Sequence, residues 1–172
     1  MRKIFLAFLV VLCSPALVAA QVGPRVSVAK LEALPTPLPY PYDEKADANA
    51  LVADAFARAK KNGKRVFIDF GGNWCPDCRV LAGVLNLPEV KSYVAKHYEI
   101  AAVDVGRLDR NLALVRKFGI RELAGVPTIV IADADGTPVN ISNSADLTSV
   151  RGMKPQAVAD WLARWTKKKP AG

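Results

Sequence analysis

Leu51, Val52, Ala55, Phe56 and Ala59 recur at helical spacing behind Asp47 and ahead of Gly63. Asp47 suits a helix cap and Gly63 a stop, which predicts a helix over 47–61. Residues 65–70 (Arg-Val-Phe-Ile-Asp-Phe) form a short apolar run with β-branched and aromatic members, the pattern of a buried strand. Gly71-Gly72-Asn73 reads as a turn, and Pro76 suits a first helical position, so a helix should begin at Cys75 and run to 87. Pro88 ends it and opens another helix to 97. A second buried strand is expected over 99–105 and a helix over 109–118, stopped by Gly119. Residues 128–132 read as a third strand. Asp135-Gly136 is a hairpin signal, and 137–141 should return as a fourth. Val158, Trp161, Leu162 and Trp165 mark the buried stripe of a last helix over 155–166.

The order of elements predicts an α/β fold, a mixed central sheet of about four strands flanked by helices. Strands joined through helices should be parallel, which makes the first three parallel and the fourth antiparallel at an edge.

The start of the chain changes the picture. Met1-Arg2-Lys3 is basic, 4–12 is unbroken apolar sequence, Ser14-Pro15 interrupts it, and Val18-Ala19-Ala20 offers small residues for cleavage. That order is a secretory signal peptide, and the apolar run is shorter than the roughly 20 residues a membrane span needs. The expected division is signal peptide 1–20, Pro-rich lead-in 21–42 and folded domain 43–172. Cleavage after Ala20 removes Cys13, and losing Arg2 and Lys3 takes the formal charge from +8 to +6. The expected location is outside the cytoplasm, in a bacterial periplasm, with no part embedded in the membrane after cleavage. The remaining basic residues, including the Lys167-Lys168-Lys169 tail, form no stripe interleaved with aromatics. No nucleic-acid partner is therefore expected.

The chain has 172 residues, 51% apolar and 23% charged, enough for a core without staples. Its single histidine, His97, reads as a surface residue near a helix end, and His-based metal sites are hard to build around it. After cleavage the cysteines are Cys75 and Cys78, in Trp74-Cys75-Pro76-Asp77-Cys78. A helix start presents free N–H groups and the positive end of the macrodipole, and both favour a thiolate. Two intervening residues put the sulfurs about one helical turn apart. Cys75 at the mouth should be the exposed, attacking thiol and Cys78 the sheltered, resolving one, the two forming a redox-active disulfide. An inert bridge across so short a loop would add little stability. A zinc site would need a second ligand pair, and only His97 and carboxylates remain. Arg79 stands where a haem-attachment motif needs histidine. No metal and no cofactor is expected.

The strand Phe67-Ile68-Asp69-Phe70, the Trp-Cys-x-x-Cys, Lys117-Phe118-Gly119-Ile120-Arg121 and Gly125-Val126-Pro127-Thr128 together resemble the thioredoxin superfamily, over about residues 64–165. The break at Leu87-Pro88-Glu89-Val90 is similar to the exported subgroup related to the C-terminal domain of membrane thiol–disulfide interchange proteins. The Cys-Pro-Asp-Cys core also resembles small reductases of low-molecular-weight disulfides. The resemblance implies that Asp69 is a buried carboxylate that moves the proton of Cys78, through water. It implies that Pro127 is a cis-proline beside the dithiol, that Val126 pairs its backbone with an extended substrate, and that Trp74 shields the sulfurs. Gly152 falls near the position of a rim glycine. The stretches 122–124 and 141–150 are longer than in thioredoxin, so the substrate rim differs.

Pro76 and Asp77 are the tuning residues between the cysteines. A negative Asp77 near Cys75 opposes its thiolate by roughly 1 kcal/mol at about 7 Å and an effective dielectric near 40, which disfavours a strong oxidant. The expected activity is that of an exported thiol–disulfide oxidoreductase, a reductant or interchange enzyme. Its partners would be exported proteins with disulfides, or small disulfides, and a membrane electron donor to recharge it. An oxidase or isomerase, or a thioredoxin-fold binding module without turnover, remain the alternatives.

Overall fold

The computed structural model describes residues 23–166. The segment read as a signal peptide, with Cys13, and the lysine tail at 167–169 lie outside the described residues. Local signals in the sequence translate directly. Asp47 accepts hydrogen bonds from the Asn49 and Ala50 amides at 2.8 and 3.1 Å, which caps helix α1 (Ala48–Asn62). Gly63 closes it in the left-handed conformation at φ 73°. Strand β1 (Arg65–Gly71) follows, then α2 (Pro76–Leu85), α3 (Pro88–His97) and β2 (Tyr98–Asp104). The short α4 (Leu112–Lys117) precedes β3 (Thr128–Ala132), and α5 (Pro155–Arg164) ends the fold.

The sheet order is β2-β1-β3, so β1 is central. Alternation along β1 feeds both faces. Val66, Ile68 and Phe70 pack with α1, α4 and the β2 residues Ala101 and Val103. Phe67 packs on the other face with Leu81 and Val84 of α2, Val90 of α3, and Val158 and Leu162 of α5. Trp161 is buried as expected, its indole donating to Asp146 at 2.9 Å, and Trp165 is partly buried against it. His97 ends α3 with its ring 4.5 Å from that of Tyr93.

Three expectations need correction. First, β1 and β2 are parallel but β3 runs antiparallel to β1, with Phe70 opposite Thr128 and Val66 opposite Ala132. The six-residue α4 rises only about 9 Å, too little to return the chain along a seven-residue strand. The chain stays at the end where β2 stopped: Leu108 in the loop after β2 and Arg121, Glu122 and Leu123 line one cleft. Second, the expected helix over 109–118 is reduced to Leu112–Lys117, because Asn111 sits at φ 54° and breaks its first turn. Third, 137–141 is not a strand. It makes one antiparallel bridge, Ala132 with Pro138. Pro138 has no N–H to extend a ladder. Asn140 then turns its side chain into the sheet edge, accepting from the Ile131 amide at 2.7 Å and donating to the Ile129 carbonyl at 2.9 Å. A buried side-chain amide thus satisfies the edge that a fourth strand would have paired.

The lead-in lies against the folded body. Leu34 is buried, and Val26, Val28, Leu31 and Leu38 pack on the α2–α5 side of the sheet. Arg79 of α2 donates to the Leu38 and Pro39 carbonyls at 2.9 and 3.3 Å, and its guanidinium stacks 3.9 Å over the Tyr40 ring. The segment ends with Tyr42 buried beside the end of β1.

Candidate active site

The antiparallel β3 has a direct consequence. Its first residue lies opposite Phe70, so the segment entering it, Val126-Pro127, arrives at the end of β1 from which the Cys-x-x-Cys departs. The Val126–Pro127 bond is cis. A parallel β3 would have put these residues at the far end of the sheet.

Cys75 is the N-cap of α2, and its sulfur accepts from the Cys78 amide at 3.3 Å. The same thiol donates to the Val126 carbonyl at 3.3 Å. Both cysteines are free thiols. The expected contrast in exposure is small: Cys75 is 4% exposed and Cys78 fully buried. The Val126 carbonyl segment lies directly against Cys75, which is why the helix mouth is not open.

Behind Cys78 sits Asp69, buried on β1. Burial pushes its carboxyl up to about 7, and a hydrogen bond from the Tyr42 hydroxyl at 2.8 Å acts in the opposite direction. Burial likewise pushes the Cys78 thiol up, while the Gly72 amide pulls it down and the Cys75 and Asp69 side chains raise it further. Tyr42 is pushed up by burial, then by Asp69 and Cys78. Sequence reasoning missed this residue. It stands 27 positions before Asp69 in a proline-rich stretch, with no local pattern to mark it.

Asp77 is nearly buried and does not present a bare charge to Cys75. Its two oxygens accept from the amide and the guanidinium of Arg151, each at 2.9 Å. The expected repulsion of the thiolate is therefore largely countered by a cation 74 residues away, next to the Gly152 singled out from sequence. Trp74 is 41% exposed. Its indole N–H donates to the Gly106 carbonyl at 2.6 Å, and the Arg107 guanidinium lies 4.8 Å from the ring. Its ring edge lies over Gly72, where an added Cβ would come within 2.6 Å of Nε1. A cleft of about 360 Å³ opens beside it, lined by Glu44, Asp104, Gly106, Arg107 and Arg110 among others. A larger one, about 780 Å³, lies between the lead-in at 26–32 and residues 151–156, and meets the site only through Arg151. Among the described residues no three of His, Cys, Asp and Glu come together as metal ligands, and no helix is long and apolar enough to cross a membrane.

A dithiol at a helix start, following a central strand and facing a cis X–Pro at the head of an antiparallel neighbour, defines a thioredoxin fold built for sulfur chemistry. The chain belongs to the thioredoxin-like family: the family model of that description matches residues 47–134. The crystal structure of a disulphide isomerase from Xylella fastidiosa Temecula1 is 37% identical, with a TM-score of 0.69 over 74% of this chain and 97% of that one. Thioredoxin of Mycolicibacterium smegmatis is 32% identical over 78 residues, 45% of this chain and 63% of that protein. Protein disulfide-isomerase erp38 of Neurospora crassa is 33% identical over 92 residues, 52% of this chain and 23% of that protein. The chain thus spans less than two thirds of the length of these two curated relatives.

Proposed function

We propose that the chain is an exported thiol–disulfide oxidoreductase that reduces or interchanges disulfides through Cys75 and Cys78. The observation that carries this reading is the placement of the Cys75 sulfur, capping α2 and facing the Val126 carbonyl at 3.3 Å. Helix N–H groups stabilise the thiolate there. Deprotonation also releases the Val126 carbonyl, which becomes free to accept an N–H from an extended substrate.

Cys75 thiolate attacks a substrate disulfide, one substrate sulfur leaves as thiolate, and a mixed disulfide remains. Cys78 loses its proton towards Asp69 and attacks the Cys75 sulfur. The second substrate sulfur leaves, so the substrate gains two electrons and the chain holds a Cys75–Cys78 disulfide. A donor outside the chain, expected at the membrane, must return those electrons. Trp74, Val126 and Pro127 form the substrate edge, and Pro76 and Asp77 set the potential.

The partners of the two sulfurs favour a reductant or interchange role over a primary oxidant. Among the described residues they are the Val126 carbonyl, the Cys78 and Gly72 amides, the Tyr42 hydroxyl and, for Cys78, the Cys75 side chain, with no cation among them. Strong oxidants stabilise the thiolate far more heavily. The likeness to a protein titled disulphide isomerase favours interchange as the specific role. Cys78→Ser should trap mixed disulfides with exported proteins, and the reduction potential should lie well below −120 mV. No trapped adduct, or a potential in that oxidising range, rejects the reading. Export rests on residues 1–20, and N-terminal sequencing of the secreted form should begin at Gln21.

A further inference from the structure

We propose that Tyr42 is the proton relay between Cys78 and Asp69, a task supplied by the lead-in rather than by water. The inference rests on the dithiol reading above and adds a residue to it. The hydroxyl donates to Asp69 Oδ1 at 2.8 Å. It also faces the sulfur. A Cβ placed on Gly71 would overlap the Tyr42 hydroxyl and come within 2.8 Å of Cys78 Sγ, so phenol and thiol meet over one glycine. The absence of a side chain at Gly71 is what makes this meeting possible.

The phenol is held in place from both sides. Asn73, in the turn just before the dithiol, donates to the Tyr42 carbonyl at 2.8 Å and accepts from the Tyr42 amide at 3.2 Å. Arg79, just after it, grips the Leu38 and Pro39 carbonyls. The titratable groups that face the pair are Asp69 from β1 and Cys75 and Cys78 from α2. Glu44, two residues past the lead-in, instead accepts from Asn73 at 3.3 Å.

During resolution the Cys78 S–H proton passes to the Tyr42 oxygen as the Tyr42 O–H proton passes to Asp69. Tyr42 ends neutral, as it began. The freed electron pair on Cys78 forms the bond to the Cys75 sulfur, and the substrate sulfur leaves with the pair of the broken bond. The new phenol hydrogen then lies on the Cys78 side of the Tyr42 oxygen and can donate back to the thiolate. Burial raises the cost of ionising the phenol alone, so the two transfers are concerted.

The full chain carrying Cys13→Ser, reacted with an aromatic disulfide that liberates 5-thio-2-nitrobenzoate, separates the steps by absorbance. The first equivalent reports attack by Cys75 and the second reports resolution by Cys78. In Tyr42→Phe, the first release should stay within twofold and the second should slow at least tenfold at pH 7. Its inflection near pH 7 should move upward, since Asp69 loses the hydrogen bond that holds it down. Asp69→Asn should slow the second release comparably, and the double variant no further, because the two act as one unit. In the chain with Tyr42 intact, a proton inventory in mixed light and heavy water should bow, with two protons in flight. A second release within twofold in Tyr42→Phe, multiplied losses in the double variant, or a straight inventory each overturn the relay alone. A chain with Tyr42 intact that never yields the second equivalent overturns the dithiol reading, and the relay with it.

Discussion

Cys75 and Cys78 are three residues apart and have unlike surroundings. Around Cys75 the charges reach solvent: Arg151, 60% exposed, pairs with Asp77, and Arg107 lies over the exposed Trp74. Around Cys78 nothing reaches solvent, and Asp69 and Tyr42 are buried against it. Water screens the first set, so each charge there is worth about 1 kcal/mol or less. Desolvation governs the second, and it moves a carboxyl from 3.8 to about 7. One end of the dithiol is surrounded by modest, screened charges. The other carries a large desolvation cost, which holds a buried carboxyl near neutral pH.

The sharpest break in this contrast is at the buried end. Asp69→Asn should stabilise the protein at pH 8 by on the order of 4 kcal/mol. Folded Asp69 titrates near 7 and the unfolded residue near 3.8, so between those values only the folded state holds the proton. Stability should therefore fall as pH rises from about 4 to about 7 and level above, and the variant should lose that slope in denaturant melts across pH. Gly71→Ala should come next, destabilising by about 2 kcal/mol as its methyl meets the Tyr42 hydroxyl and Cys78, read as a lower unfolding midpoint. At the open end, Arg151→Ala should leave Asp77 uncountered and slow alkylation of Cys75 at pH 7 by about fivefold, from roughly 1 kcal/mol of repulsion. Salt near 1 M should erase most of that difference. Smallest, Trp74→Ala should change stability by under about 1 kcal/mol while weakening substrate capture, seen as a higher KM with kcat kept.

What the sequence shows follows the range of the interactions. Asp47 and Gly63 delimit α1 through neighbours in the chain, and Pro76 and Pro88 start their helices for reasons internal to proline. The Cys-x-x-Cys at a helix start is legible for the same reason. The direction of β3 is not, because it depends on how far a six-residue helix can carry the chain. Nor is the missing fourth strand, since Asn140 looks like a loop residue until its amide is seen bonded to Ile129 and Ile131. Tyr42 and Arg151 act across 27 and 74 residues, with no spacing rule to link them to Asp69 or Asp77. Asp69 is legible through the family resemblance, which implies a buried carboxylate on the strand leading into the dithiol.

Both of those long-range residues lie outside the stretch 47–134 that the family model covers. Asn73 and Arg79, within it, are the hooks by which the lead-in is fastened. The dithiol motif and the two residues that reach its surroundings, Tyr42 and Arg151, are thus separate in sequence. With Tyr42 acting as proposed, changes in the lead-in or in the loop bearing Arg151 would retune the proton traffic and charge of the dithiol while every residue of the Trp-Cys-Pro-Asp-Cys motif stays as it is. Two chains with the same motif need not share a working pH.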